Sequence, residues 1–493
     1  MKLRVVVALV LALAAGLRFT RLDERPMHAD EAVLADKLGT LVETGAWQYD
    51  PKDYHGPVLP YLSFLAARLS GAHRYRDFTE TMLRGVPALF GLTLVLMPLL
   101  LKRWLGFVGA VAASTLVCIS PAMVYYSRYY IPEMPLTCFT AGLIVAWCRY
   151  RRERSVCWVL CAGLLAGLMF ATKETALIAF GCMMLAAGLT ERRLPDWLHI
   201  LLGLAVALLI IVGLMGWPAL QAFGTYLHRA VRDQRHVHPW YYYLRLLLYH
   251  HGPGGFFWSE GLILALAALG AVAAFLRKES AGVDRLLVIY TLSMTACYSL
   301  IPYKTPWCLL GFLYGMILLS GLGVVFLFQM NSRAVRAVVA VCLVHLVYQA
   351  VVTSRTYSSD PRNPYAYAHT TTDVYVIRDR LERLAAADPQ GREMRVQVVS
   401  RENLWPLPWY LRSFSHVEWW RGVVDKMQPA SVILASPDME TALAHRLYET
   451  PPPGERPLYV SMFRREIDLR PGVELRGYVK QSLWDAYERT KHR

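Results

Sequence analysis

The stretch "RPMHADEAVLADK" at positions 25–37 sets two acids side by side, Asp30 and Glu31, directly after an apolar run. A carboxylate held at a membrane surface can act as general base toward a hydroxyl brought there. A structural role fits the same residues: Asp30 as the cap of the helix "EAVLADKLGTLVETG", with Glu31 favoured by the dipole in its first turn. Further ionisable residues recur at the ends of apolar runs. His55 lies in "YHGPVLPYL", Arg128 and Glu133 in "SRYYIPEMP", Lys173 and Glu174 in "TKET", and Lys304 in "YKTPW". Cations can neutralise a departing phosphate, and a second carboxylate with a histidine can hold a divalent metal on it. Together they suit transfer of a sugar from a lipid phosphate, a group that leaves without being protonated. Each residue also has a plainer reading. The lysines can snorkel, Arg128 can form a structural pair with Glu133, Glu174 can merely accompany Lys173, and His55 can be a hydrogen-bonded loop residue.

The elements that must position this set are apolar helices. The chain has 493 residues and 55% hydrophobic content, with a mean hydropathy of +0.31, too apolar for an ordinary soluble enzyme. Apolar runs at 4–20, 86–101, 105–120, 135–148, 156–171, 176–190, 198–216, 258–276, 286–301, 308–328 and 337–352 predict about eleven transmembrane helices. The first has the basic flank of a signal peptide, but ten further runs favour an uncleaved helix.

Lys102 and Arg103, "RYRRER" (149–154), Arg192 and Arg193, "RKESAGVDR" (277–285) and "SRAVR" (332–336) occupy every second loop. By the bias of cytoplasmic loops toward Lys and Arg, these face inward. The N-terminus is then cytoplasmic, and everything after about 352 lies outside. The candidate residues all fall on the outer side, which includes the loops 21–85 and 217–257. Chance would scatter them over both faces, and ionisable groups at a membrane boundary are costly, so their convergence indicates a site.

The formal charge of +15 follows from the inner loops rather than from a nucleic-acid surface, and no nucleic-acid partner is expected. The basic, aromatic stretch 228–251 reads as an interfacial belt contacting headgroups. All nine cysteines precede 344, in or beside apolar runs, and imply no disulfide framework. From 353 to 493 the composition becomes that of a small α/β domain. "TTDVYVIRDRLERLAAA" and "METALAHRLYET" predict helices, and "MRVQVVS", "SVILAS" and "PLYVSMF" predict strands.

Over roughly residues 20–350 the sequence resembles the polytopic glycosyltransferases of the GT-C fold, among them the protein O-mannosyltransferases and the aminoarabinose transferases. The resemblance rests on Asp30–Glu31 after the first helix, an aromatic-x-x-Pro segment, and the second-loop acid Glu133. "RPMHADEAV", "YHGPVLPYL", "NPYAYAHTTTD" (363–373) and "LWPLPWYLR" (404–412) look like motifs of a subgroup described as "flippase activity-associated". It implies a polyprenyl-phosphate sugar as donor and an acceptor hydroxyl on a protein, lipid or glycan. Asp30 becomes the acceptor base and Glu31 its partner, Lys173 and Lys304 the cations near the donor phosphate, and Glu133 a metal or acceptor contact; Arg128, outside that correspondence, is open between a phosphate contact and its pair with Glu133. Where aminoarabinose transferases carry aromatic-Glu-Lys-Pro, this chain has Tyr54-His55-Gly56-Pro57, so the donor and any divalent metal stay open, with His55 the further candidate ligand.

The sequence therefore predicts a multi-pass, inner-membrane, GT-C-like protein over 1–352 with an extracytoplasmic α/β domain over 353–493. Two other classes share the composition: a transporter or flippase component for lipid-linked sugars, and a non-catalytic partner that keeps the fold. Transport would favour inverted repeats and polar residues at mid-membrane. The sequence has no repeat, and its polar set sits at one boundary.

Overall fold

The computed structural model describes the chain except residues 1, 48, 51–54, 192–195, 217–220, 222–223, 225–235, 253–255, 277–280, 331, 453, 455 and 492–493. Contacts divide it into two compact units. The first comprises Met1–Leu22, Thr40–Ala72 and Thr79–Tyr367, and the second Asp23–Gly39, His73–Phe78 and Ala368–Arg493. The expected tail boundary at 352/353 falls where the last long helix ends, at Ser354; the contact boundary follows Tyr367.

The first unit is helical. Each of the eleven expected spans falls on a helix: α1 (Lys2–Phe19), α4 (Glu80–Leu100), α5 (Lys102–Ile119), α7 (Glu133–Glu153), α8 (Val156–Phe170), α9 (Ala176–Thr190), α10 (Trp197–Met215), α12 (Gly261–Leu276), α13 (Ala281–Leu300), α14 (Leu310–Gln329) and α15 (Arg333–Ser354). Between them lie α3 (Val58–Leu69), α6 (Pro121–Ser127) and α11 (Tyr242–Leu248), while α2 (Ala29–Thr44) belongs to the second unit up to Gly39. Among the described residues, five segments are long and apolar enough to cross a membrane by themselves: Glu80–Leu100, Lys102–Ile119, Trp197–Met215, Pro306–Gln329 and Arg333–Ser354. Exposed leucines follow the same logic. α10 turns Leu201, Leu204, Leu208 and Leu209 outward, a surface that suits hydrocarbon and not water.

Helices of this unit pack through small residues, as expected where lipid gives no hydrophobic drive to association. At Gly270 of α12 a Cβ would stand 1.9 Å from the Leu319 carbonyl oxygen of α14, so only glycine allows that approach.

The second unit carries a mixed sheet in the order β4-β3-β5-β8-β6. Its strands are β3 (Val396–Val399), β4 (Val417–Trp420), β5 (Val432–Ala435), β6 (Tyr459–Ser461), β7 (Ile467–Arg470) and β8 (Val473–Lys480), the short hairpin β1 (His250–His251) and β2 (Phe257–Trp258) belonging to the first unit. β3 is parallel to β4 and β5, whereas β8 runs antiparallel to β5, β6 and β7. Every residue of β3 and β5 is buried, and all but Gln397, whose amide donates to Glu418 and to the Gln428 carbonyl, are apolar. The helix α16 (Asp373–Ala387) buries Val374, Ile377, Leu381, Leu384 and Ala385, apolar positions at helical spacing.

Candidate active site

Two groups of candidate residues are described, one in each unit. In the second unit, α2 begins at Ala29, so Asp30 is not its cap. His28 takes that place. Its Nδ1 accepts the Asp30 N–H at 3.1 Å, and Glu31 Oε2 reaches back to accept the His28 N–H at 2.8 Å, half of a capping box. Glu31 is completely buried, and both its oxygens lie 2.9 Å from Arg25 Nη2, whose side chain is 8% exposed. The two acids thus divide. Glu31 is consumed by an ion pair and a helix start, whereas the Asp30 side chain is 58% exposed and 3.9 Å from His28 Nδ1. Neither Arg25 nor His28 is legible in these roles from sequence, because both depend on where the helix starts.

The two tail motifs hold this stretch. Tyr410 of "LWPLPWYLR" accepts the Met27 N–H at 2.8 Å, Thr370 of "NPYAYAHTTTD" donates to the Met27 carbonyl at 2.7 Å, and Tyr375 donates to the Glu24 carbonyl at 3.1 Å. Arg470 is a further neighbour by charge. Burial lowers its pKa, and the carboxylates of Glu402 and Asp30 act against that shift.

In the first unit the second-loop acid meets the third-loop lysine. Glu133, the first residue of α7, forms an ion pair with Lys173, which lies in the turn between α8 and α9. Their side chains are 6% and 7% exposed. Burial alone would lower the Lys173 pKa; the Glu133 carboxylate outweighs it and raises the amine above the usual lysine range. The pair lines a pocket with Thr137, Thr140, Tyr298 and Trp307.

His55 and Glu174 form a separate pair, Nδ1 to Oε2 at 2.8 Å. Gly56 makes it possible: a Cβ there would stand 2.0 Å from the Ala171 carbonyl oxygen, so the "HGP" backbone can lie against the end of α8 only as glycine. Tyr54, the aromatic residue of that motif, lies outside the described residues.

For Arg128 the sequence allows a pair with Glu133 or a phosphate contact. The partner of Glu133 is Lys173, and Arg128 donates to the carbonyls of Leu17, Arg18, Thr20 and Arg21, where α1 ends. Lys304 is buried, and its amine donates to the carbonyls of Ile301 and His238, the latter at 3.2 Å; burial lowers its pKa. The polar residues that lie far apart in sequence thus form several small clusters.

The pair expected to bind a metal does not fit one. Glu133 is bound by an ammonium that repels a divalent cation, and His55 is bound by Glu174. Among the described residues no group of three His, Cys, Asp or Glu side chains is placed to hold a metal ion.

Comparison with known proteins agrees with this architecture. Residues 54–217 match the family described as dolichyl-phosphate-mannose-protein mannosyltransferase. No curated protein matches the sequence. Among solved structures, ArnT from Cupriavidus metallidurans bound to undecaprenyl phosphate superposes with a TM-score of 0.67 at 18% identity, covering 97% of this chain and 98% of that one. Its apo state gives 0.66 at 17% identity, with the same coverage. The archaeal oligosaccharyltransferase AglB from Archaeoglobus fulgidus, in complex with an inhibitory peptide and a dolichol-phosphate, gives 0.57 at 13% identity over 90% of this chain and 70% of that one. At these identities the likeness is one of fold: the chain shares the fold of ArnT over nearly its whole length, and that of AglB over most of it.

Proposed function

We propose that the chain is a membrane glycosyltransferase that moves a sugar from a polyprenyl-phosphate donor to an acceptor hydroxyl on the outer face of the membrane, with Asp30 as general base. The supporting observation is the likeness over nearly the whole chain to ArnT bound to undecaprenyl phosphate. In this reading Asp30 takes the proton of the acceptor hydroxyl as its oxygen bonds to the anomeric carbon. The bond from that carbon to the donor phosphate breaks, and the phosphate departs with the electron pair, unprotonated. Cations stabilise the departing charge, and of the two candidate lysines Lys304, whose described contacts are carbonyls, suits that role better than Lys173, which Glu133 offsets. The exposed carboxylate of Asp30 suits the base and the enclosed Glu31 does not. A protein, a lipid or a glycan can each supply the acceptor hydroxyl.

This reading places residues 1–352 in the inner membrane with the N-terminus cytoplasmic and 353–493 outside. Cysteines introduced at Arg152 and Gln390 should label from opposite sides; labelling from the same side would overturn the topology. For the reaction, lipid-linked sugars and glycosylated products are compared in cells with and without the gene. Loss of a glycosylated product with accumulation of its lipid-linked sugar is expected. Unchanged pools of both would overturn the proposal.

A further inference from the structure

Asp30 lies beside the carboxyl edge of the tail sheet. In the order β4-β3-β5-β8-β6 the chain leaves β3 toward β4 and leaves β5 toward β6, in opposite directions, and β3 is parallel to both β4 and β5. The crevice outside the carboxyl ends of parallel strands, at the point where the connections diverge, is where open α/β sheets bind their ligands.

Contacts within the second unit bring Asp30 to that edge. Tyr410, in the segment that follows β3, and Thr370 both bond to the Met27 backbone. The next residue, Thr371, donates its N–H to the Leu469 carbonyl and its hydroxyl to the Asp468 carbonyl, both in β7. β7 ends at Arg470, which pairs with Val473 of β8, past the place where Arg476 pairs with Ala435 at the carboxyl end of β5.

Arg470 donates to the Asn403 carbonyl, in the loop after β3. Its Nε is buried with no hydrogen-bond partner, and among the described residues it has no ion pair. The carboxylates of Asp30 and Glu402 act on its charge from further away. Arg401, Glu402 and Asn403 are exposed, and the Asp30 side chain is 58% exposed. The edge is therefore open to a molecule arriving from solvent, which meets charges of both signs. A phosphate or carboxylate is opposed by Asp30 and Glu402, and an ammonium by Arg470. A neutral sugar suits both, since its hydroxyls donate to a carboxylate and accept from a guanidinium.

We propose that the carboxyl edge of the tail sheet is the acceptor subsite, where Arg470 and Glu402 hold a neutral sugar ring of a glycan and present one of its hydroxyls to Asp30. The choice of a glycan rests on Asp30 being the base of the glycosyltransferase reaction. The presented hydroxyl loses its proton to Asp30 as its oxygen bonds to the donor's anomeric carbon, and the donor phosphate leaves with the electron pair.

The test uses the full chain in nanodiscs. The lipid-linked sugar that accumulates in cells without the gene is extracted as donor, and the polysaccharide fraction of the same cells serves as acceptor. Initial rates are measured against each for wild type, Glu402→Gln, Arg470→Met and Arg470→Lys. The Glu402 side chain makes no hydrogen bond or ion pair among the described residues, so Glu402→Gln keeps the fold even if Arg470→Met does not. In Glu402→Gln and in Arg470→Met the KM for the acceptor should rise about tenfold to a hundredfold, the scale of a lost charged hydrogen bond, with the KM for the donor within about twofold of wild type. Arg470→Lys, which keeps the charge, should recover part of the loss. A merely structural role would lower stability and kcat without separating the two KM values.

An unchanged acceptor KM in either variant would overturn the subsite. So would a wild type that modifies the protein or lipid fraction of those cells and leaves the polysaccharide untouched. Absence of any lipid-linked sugar that wild type consumes would instead overturn the glycosyltransferase reading, and the subsite with it.

Discussion

Replacing Glu31 by glutamine should loosen the start of α2. The carboxylate is fully buried, lies 2.9 Å from Arg25 Nη2 through both oxygens, and accepts the His28 N–H at 2.8 Å. Glutamine keeps the shape and an oxygen for the His28 N–H, but removes the negative charge that both Glu31 oxygens bring to Arg25 Nη2. Removing one partner of a buried pair costs about 3–5 kcal/mol. A membrane protein of two units does not unfold in one step, so this loss is read locally. Amide hydrogen exchange along α2 should accelerate by roughly two to three and a half orders of magnitude, at about 1.4 kcal/mol per factor of ten. The double variant Arg25→Met, Glu31→Met removes both charges and should restore much of the protection. Exchange in Glu31→Gln within a few-fold of wild type would refute the structural role given to Glu31.

Three further outcomes follow from single contacts. Gly56→Ala drives a Cβ toward the Ala171 carbonyl at 2.0 Å; it should destabilise the first unit by about 1–3 kcal/mol in thermal or denaturant unfolding, and an unchanged melting temperature would contradict the close approach. Tyr410→Phe leaves the buried Met27 N–H without its acceptor. A cost of about 1–3 kcal/mol should appear as faster exchange around Met27 and lower turnover with donor binding intact, and unchanged turnover and exchange would show the contact to be idle. Arg128→Met withdraws the donor from the carbonyls that end α1, so stability should fall while affinity for undecaprenyl phosphate holds. Lost affinity with unchanged stability would return Arg128 to the phosphate site.

Much of the fold is legible in the sequence because lipid imposes length and apolarity on each helix. The run ends are less so. The expected span 86–101 belongs to a helix that starts at Glu80, since Arg84 is buried and donates to the Leu22 carbonyl at 2.6 Å. In the tail, "MRVQVVS" and "SVILAS" read as buried strands, and β3 and β5 are interior strands of the sheet with every residue buried. β4, "VEWW", is a short, partly exposed strand at the sheet edge, and β8 interleaves charged and apolar residues, so neither stands out in the sequence.

The candidate site was legible as a set of residue types and not as a set of pairs. Asp30 and Glu31 look alike in sequence, and only a helix that starts at Ala29 assigns one to an ion pair and leaves the other exposed. Glu133 and Lys173 lie 40 positions apart, and Lys173 and Glu174, adjacent in one turn, face different partners. No periodicity encodes such contacts. They arise from packing between helices.

The central claim is that Asp30 performs the chemistry, and the direct measurement is sugar transfer by purified Asp30→Asn in nanodiscs beside wild type. Asparagine preserves the shape, and the side chain it replaces makes no cap, so thermal stability should stay within about 1 kcal/mol, the scale of an exposed charge at a helix start. Loss of the base should lower turnover by roughly 10²–10⁴-fold with the protein folded and undecaprenyl phosphate still bound. Turnover within a few-fold of wild type would contradict the account and remove Asp30 from the reaction.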